Sequence, residues 1–158
     1  MIPGWLLVAV VAVAVVVVVG IWLSGLASRL NRLHIRTDSA RVNLEGALQA
    51  RAAVIGVLRP DLLPAVSRAG GLALRAEDMG ARSDAENVLL QELDREDIAS
   101  PSFVAASTKV DLAARFYNDA VGDTLGLRSR PVVRVFRLAG SAPLPAYYEA
   151  MSVGDSSQ

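Results

Sequence analysis

From Ile2 to Leu23 no charged side chain interrupts the chain, and every residue between Val8 and Val19 is valine or alanine. The stretch is therefore apolar on all sides. A helix over it is about 33 Å long at 1.5 Å per residue, matching the roughly 30 Å hydrocarbon core of a bilayer. Trp5 and Trp22 stand near its two ends, where a ring with one polar N–H suits each interface. Valine favours strands in water, but in lipid every backbone N–H and C=O needs a partner within its own segment, which selects helix. The pattern predicts a transmembrane helix over residues 2–23. A buried strand or core helix fits poorly, because such segments rarely run so long without a polar residue.

Past the span the apolar positions narrow to one stripe. Leu23, Leu26, Leu30, Leu33, Ala40, Leu44, Ala47, Val54 and Leu58 follow one another at three- and four-residue steps, with Thr37 and Arg51 the polar members of the series. Such spacing lines one side of a helix. It predicts that the membrane helix runs on to Leu58, about 52 Å beyond Ser24. Either a parallel coiled coil or the shorter amphipathic pieces downstream could cover the stripe.

Those pieces are marked by breakers and caps. Pro60 and Pro64 bracket Asp61 and open a second helix, with Leu62, Val66, Ala69 and Leu72 inward. Ser83 and Glu86 read as a capping box for a third helix carrying Val88, Leu89, Leu90 and Leu93. Ser100-Pro101 starts a fourth, to about Thr124, with Phe103, Ala106, Val110, Ala113, Tyr117 and Ala120 on one stripe. The fold expected is all-α: a transmembrane helix continuing into an antiparallel up-and-down bundle of about four helices over residues 24–150. A polar tail, expected to be disordered, occupies 151–158.

Charge adds a direction. Arg29, Arg32 and Arg36 follow the span before the first acid, Asp38. By the positive-inside rule this places the N-terminus outside and the bundle in the cytoplasm, at the cell membrane. Gly25-Leu26-Ala27 offers the competing reading, a signal peptide cleaved after Ala27 from a secreted helical protein, but the charges lie on the wrong side of the apolar run for a signal. The formal net charge is zero, so no global field points to nucleic acid. Cysteine is absent, which excludes disulfides and thiolate chemistry.

Beyond Gly126 the chain turns basic and apolar together, and no acid intervenes between Asp123 and Glu149. In a bundle whose fourth helix returns towards the membrane, Arg128, Arg130, Arg134 and Arg137 would join Arg29, Arg32 and Arg36 against the anionic leaflet, each near-surface arginine adding about 1 kcal/mol. The opposing reading packs Val133, Phe136 and Leu138 on the bundle.

Ala114-Arg115-Phe116-Tyr117-Asn118-Asp119-Ala120-Val121 resembles the most recognisable stretch of LemA family proteins, close to the end of their last long helix. Arg137-Leu138-Ala139-Gly140 and Pro143-Leu144-Pro145-Ala146-Tyr147-Tyr148-Glu149 resemble the tail of those proteins, and Leu44-Glu45 with Leu48 and Arg51 is similar to a segment of their first long helix. Where the family has an aspartate, an aliphatic pair and a proline, the aligned positions are Ala53-Val54-Ile55-Gly56, without the aspartate and the proline, though a similar string occurs later as Asp61-Leu62-Leu63-Pro64. The resemblance, to a compact and divergent member, implies a membrane-anchored antiparallel helical bundle of unestablished biochemical activity. It also suggests a partner class, membrane metalloproteases, by family association.

On the fourth helix Tyr117 falls on the core stripe, while Arg115, Asn118 and Asp119 point more outward and form a candidate interaction surface. Catalytic inventory is thin. His34 is the single histidine, so no histidine pair exists for a helix-face metal motif. Glu92 with Glu96 and Asp119 with Asp123 are one turn apart, yet lack the histidines of a di-metal carboxylate site. No phosphate-binding glycine loop or nucleophile motif is present. No catalytic, metal or cofactor-binding residue is assigned. The expectation is a protein-interaction adaptor or scaffold, anchored in the bilayer through 2–23, binding an unknown membrane or cytoplasmic protein or its own copies, and not nucleic acid. An enzyme of unrecognised mechanism is the further alternative.

Overall fold

The computed structural model describes residues 3–129, 131–135 and 143–149. Helix is the only regular structure among them. Helix α1 spans Gly4–Leu58, 55 residues or about 82 Å, and is long and apolar enough at its start to cross a membrane. Among the described residues its first part is uncovered: the side chains from Trp5 to Trp22 are exposed, and Leu26 is the first to be buried. No break separates the apolar part from the packed part. The helix ends where Pro60 biases Arg59 away from the helical region, to φ −131° and ψ 79°.

After a 3₁₀ turn at Pro60–Leu62 come α2 (Leu63–Gly70), α3 (Met79–Gln91), α4 (Arg95–Ala99), α5 (Pro101–Arg128) and α6 (Pro131–Val135). The long pair, α1 and α5, packs antiparallel. Thr37 meets Thr124 at the end near the apolar stretch, their hydroxyls 3.0 Å apart. Ile55 and Phe103 share a core cluster at the other end. The α1 stripe is thus covered within the chain. Leu44 and Leu48 pack with Val110, Tyr117 and Val121, closed by Leu74 and Met79 from the α2–α3 region. Leu89, Leu90 and Leu93 extend the far cluster around Ile55 and Phe103.

Several expected boundaries move. The second helix begins at Leu63, because Pro60–Leu62 forms the 3₁₀ turn first. The third starts at Met79, one turn before the expected cap; Ser83 is buried in mid-helix, and the Glu86 carboxylate turns to two arginines instead of reaching back. The capping box lies at Asp94, with Asp97 as its third helical residue. The last long helix runs to Arg128, a turn past Thr124. Arg59 fastens this corner, with ion pairs to Asp61 at 2.9 Å and to Asp94 and Asp97 at 3.2 Å. The expected tail, 151–158, lies outside the described residues.

Candidate functional site

The Ala114–Val121 motif divides by helical period. Ala114, Tyr117, Ala120 and Val121 are buried, whereas Arg115, Phe116 and Asp119 are exposed. No ion pair joins Arg115 to Asp119, although both are described. Asn118 is half-buried, and its amide is occupied: Nδ2 donates to the Tyr148 carbonyl and Oδ1 accepts from the Tyr148 N–H, both at 2.9 Å. One turn of α5 therefore grips the extended segment 143–149 by its backbone. The Tyr117 hydroxyl donates to the Ala146 carbonyl at 2.8 Å, and Ser83 accepts from the Glu149 N–H at 3.3 Å. The helical spacing placed Tyr117 on the core stripe but pointed Asn118 outward. It missed that Asn118 serves the chain's own tail.

Beneath the tail lies a buried charge network. The Glu86 carboxylate accepts from Arg51 at 3.1 Å and from Arg82 Nε at 3.0 Å, and all three residues are at most 2% exposed. Arg82 also donates to the Leu72 carbonyl and approaches half-buried Glu45 at 3.5 Å. The ring of Tyr148 closes the network. Burial, then the Glu86 carboxylate, push its phenol up to about 12, against the opposing pull of Arg51 and Arg82. Burial raises the Tyr117 phenol as well. The one sequence hint was Arg51, a charge set in an apolar stripe. Such an arrangement fixes the relative positions of three elements, because each charge is costly to bury alone.

Two grooves flank the α1–α5 seam. One, about 610 Å³, is lined by Arg29, Arg32, Leu33 and Arg36 of α1 and by Gly122, Asp123, Gly126 and Leu127 of α5. Arg36 is tied to Asp123 at 2.6 Å. The other, about 620 Å³, is walled by small residues including Gly46, Ala47 and Ala50 and bordered by Leu112 and Phe116, which are 54% and 57% exposed. Phe116 is the outward aromatic of the motif and escaped the sequence reading, since its neighbour Tyr117 carries the stripe.

Of the arginines expected at the leaflet, Arg29, Arg32 and Arg36 share the first of these grooves. Arg128 is partly covered and donates to the Pro143 carbonyl at 3.2 Å. Arg130, Arg137 and the side chain of Arg134 lie outside the described residues, as do Phe136 and Leu138. Val133 is buried against Leu26 and Leu30. Among the described residues no group of three or more His, Asp or Glu side chains is placed to hold a metal ion. No protein-family model, curated protein or solved structure matches this chain.

Proposed function

We propose that the chain is a LemA-like, membrane-anchored antiparallel four-helix bundle that acts as a protein-interaction adaptor or scaffold at the inner face of the cytoplasmic membrane. The observation that carries this reading is the continuity of α1. A stretch with every side chain exposed and apolar passes without a break into a stripe that is buried three residues after Leu23, at Leu26. An exposed apolar helix of this length is at home in lipid, and a rigid junction would hold the domain at a set height and orientation. The arginines at 29, 32 and 36 support a cytoplasmic bundle.

For partner docking the reading assigns the exposed face of the motif, Arg115 and Asp119 together with Phe116. An exposed aromatic beside an arginine has the composition of an interface centre. Asn118 contributes by holding the tail beside that face. A membrane protein, including a membrane metalloprotease, or a second copy of the chain is the class of partner proposed. Crosslinking the full chain in its own membranes, with an Arg115→Glu variant in parallel, tests this. A specific crosslinked protein that is lost in the variant while the melting temperature holds is the expected result. Recovery of nothing specific, or of the same proteins from both, would sink the docking surface.

A further inference from the structure

The groove at the apolar end of the α1–α5 seam is open and lined by three arginines and one carboxylate. Arg29, Arg32 and Arg36 sit at successive turns of one α1 face, and Leu33 lies between them. Asp123 neutralises Arg36 alone, at 2.6 Å. Among the described residues, Arg29 and Arg32 have no carboxylate within ion-pair distance, so the groove keeps a surplus of positive charge. Its α5 wall carries Asp123, already paired with Arg36, and Leu127, and beside them it opens at two glycines. A Cβ at Gly126 would meet nothing within 4 Å, and one at Gly122 only the Tyr147 hydroxyl at 3.5 Å. Two guanidinium forks facing an open wall suit a phosphate, which Arg binds through paired N–H donors.

Location chooses the source of that phosphate. Arg29 lies about 9 Å along the helix axis from Leu23, and side chains on a helix lean towards its N-terminus, here the apolar end. A headgroup layer is about 5–7 Å deep on each side of the hydrocarbon, within reach of an arginine leaning back. At this end of the bundle Leu26, Leu30 and Val133 are buried against one another, with Leu127 of the groove packed on them. A free anion has nothing to hold it at this height, whereas the phosphate of a lipid is kept there by acyl chains lying in the bilayer beside the exposed apolar stretch.

We propose that this groove binds the headgroup of an anionic phospholipid from the leaflet that α1 leaves. The site rests on the membrane-anchor reading and goes beyond general attraction of basic residues to the surface, since it requires the open α5 wall. Native mass spectrometry of the full chain in detergent, titrated with phosphatidylglycerol, phosphatidylcholine or inorganic phosphate, provides the test. Saturable uptake of phosphatidylglycerol is expected at concentrations where the other two do not bind. An Arg29→Gln/Arg32→Gln variant should weaken it at least tenfold. Gly126→Leu, which fills the groove without changing charge, should weaken it comparably, while Arg68→Gln on α2 should leave it unchanged. Equal uptake of both lipids, uptake of phosphate as tight as of lipid, or full binding by Gly126→Leu would each overturn the site. Carbonate extraction of the same membranes separates the two ideas. Retention in the pellet with equal lipid uptake removes the headgroup site alone, and release into the supernatant removes the anchor and the site with it.

Discussion

Asn118 holds Tyr148 as a neighbouring β-strand would, with one donor and one acceptor, both at 2.9 Å, engaging the N–H and C=O of the same residue. A carboxamide offers both from a single side chain, on two adjacent atoms that match a backbone N–H and C=O. Asn118→Asp keeps the acceptor, loses the donor and sets a negative charge beside the Tyr148 carbonyl. The expected cost is about 1–3 kcal/mol, concentrated in the tail. Limited proteolysis should cut the variant after Tyr147 or Tyr148 at least ten times faster than the parent; equal protection would show that the clasp does not hold the tail.

The Glu86 carboxylate is the shared partner of two buried arginines, so it matters more than its position in an acidic stretch suggests. Glu86→Gln leaves Arg51 without a counter-charge and Arg82 with only the Glu45 carboxylate at 3.5 Å, and should cost about 3–5 kcal/mol. Asp123→Asn, which breaks an ion pair whose two side chains are each 54% exposed, should cost no more than about 1 kcal/mol. Urea denaturation of the full chain in detergent compares the two. Similar midpoints for both variants would contradict the buried network.

Tyr148 gives the fold an alkaline limit. Its phenol is pushed up to about 12 from an ordinary 10. The unfolded chain therefore releases this proton first, and stability falls as pH rises between those values. Below pH 10 the contribution is fully present, and by pH 12 about 2–3 kcal/mol is lost. Absorbance titration of the phenols alongside melting temperature should show one late-titrating tyrosine whose loss in Tyr148→Phe flattens the alkaline decline. Tyr117, raised in the same direction, should keep part of the slope. An unchanged slope in Tyr148→Phe would contradict the assignment.

Continuity of α1 predicts a separation of folding from function. Ser24 lies between the last fully exposed apolar residues and Leu26. A short Gly-Ser insert there should leave the melting temperature of the bundle within about a degree and abolish the partner crosslinks. Crosslinks retained at the parent level would show that a rigid junction is not needed.

The long helix was legible because a single stripe and a missing breaker carry it from Gly4 to the turn before Pro60. The two polar members of that stripe were the informative ones. Thr37 is inside because it meets Thr124, and Arg51 because it meets Glu86. Neither partner lies within 30 residues of it in sequence, and no local pattern could name them. Ser83 and Glu86 misled for a physical reason. The spacing of a capping box is also the spacing of two residues on one buried helix face, and tertiary contacts to the tail and the arginines selected the second use. Half of the site was visible as the Ala114–Val121 motif. Its role was not, since a side chain that binds the chain's own backbone 30 residues on looks in sequence like one free to bind something else.

Whether α1 anchors the bundle on the cytoplasmic face is tested most directly by labelling. The chain has no cysteine, so a single one at exposed Ser39 can be followed in whole cells with a membrane-impermeant maleimide. The expected result is a protein that stays in the carbonate-washed membrane pellet and is labelled only after the cells are opened. Labelling of intact cells, or a product whose mass lacks the first 27 residues that cleavage at Ala27 would remove, would contradict it.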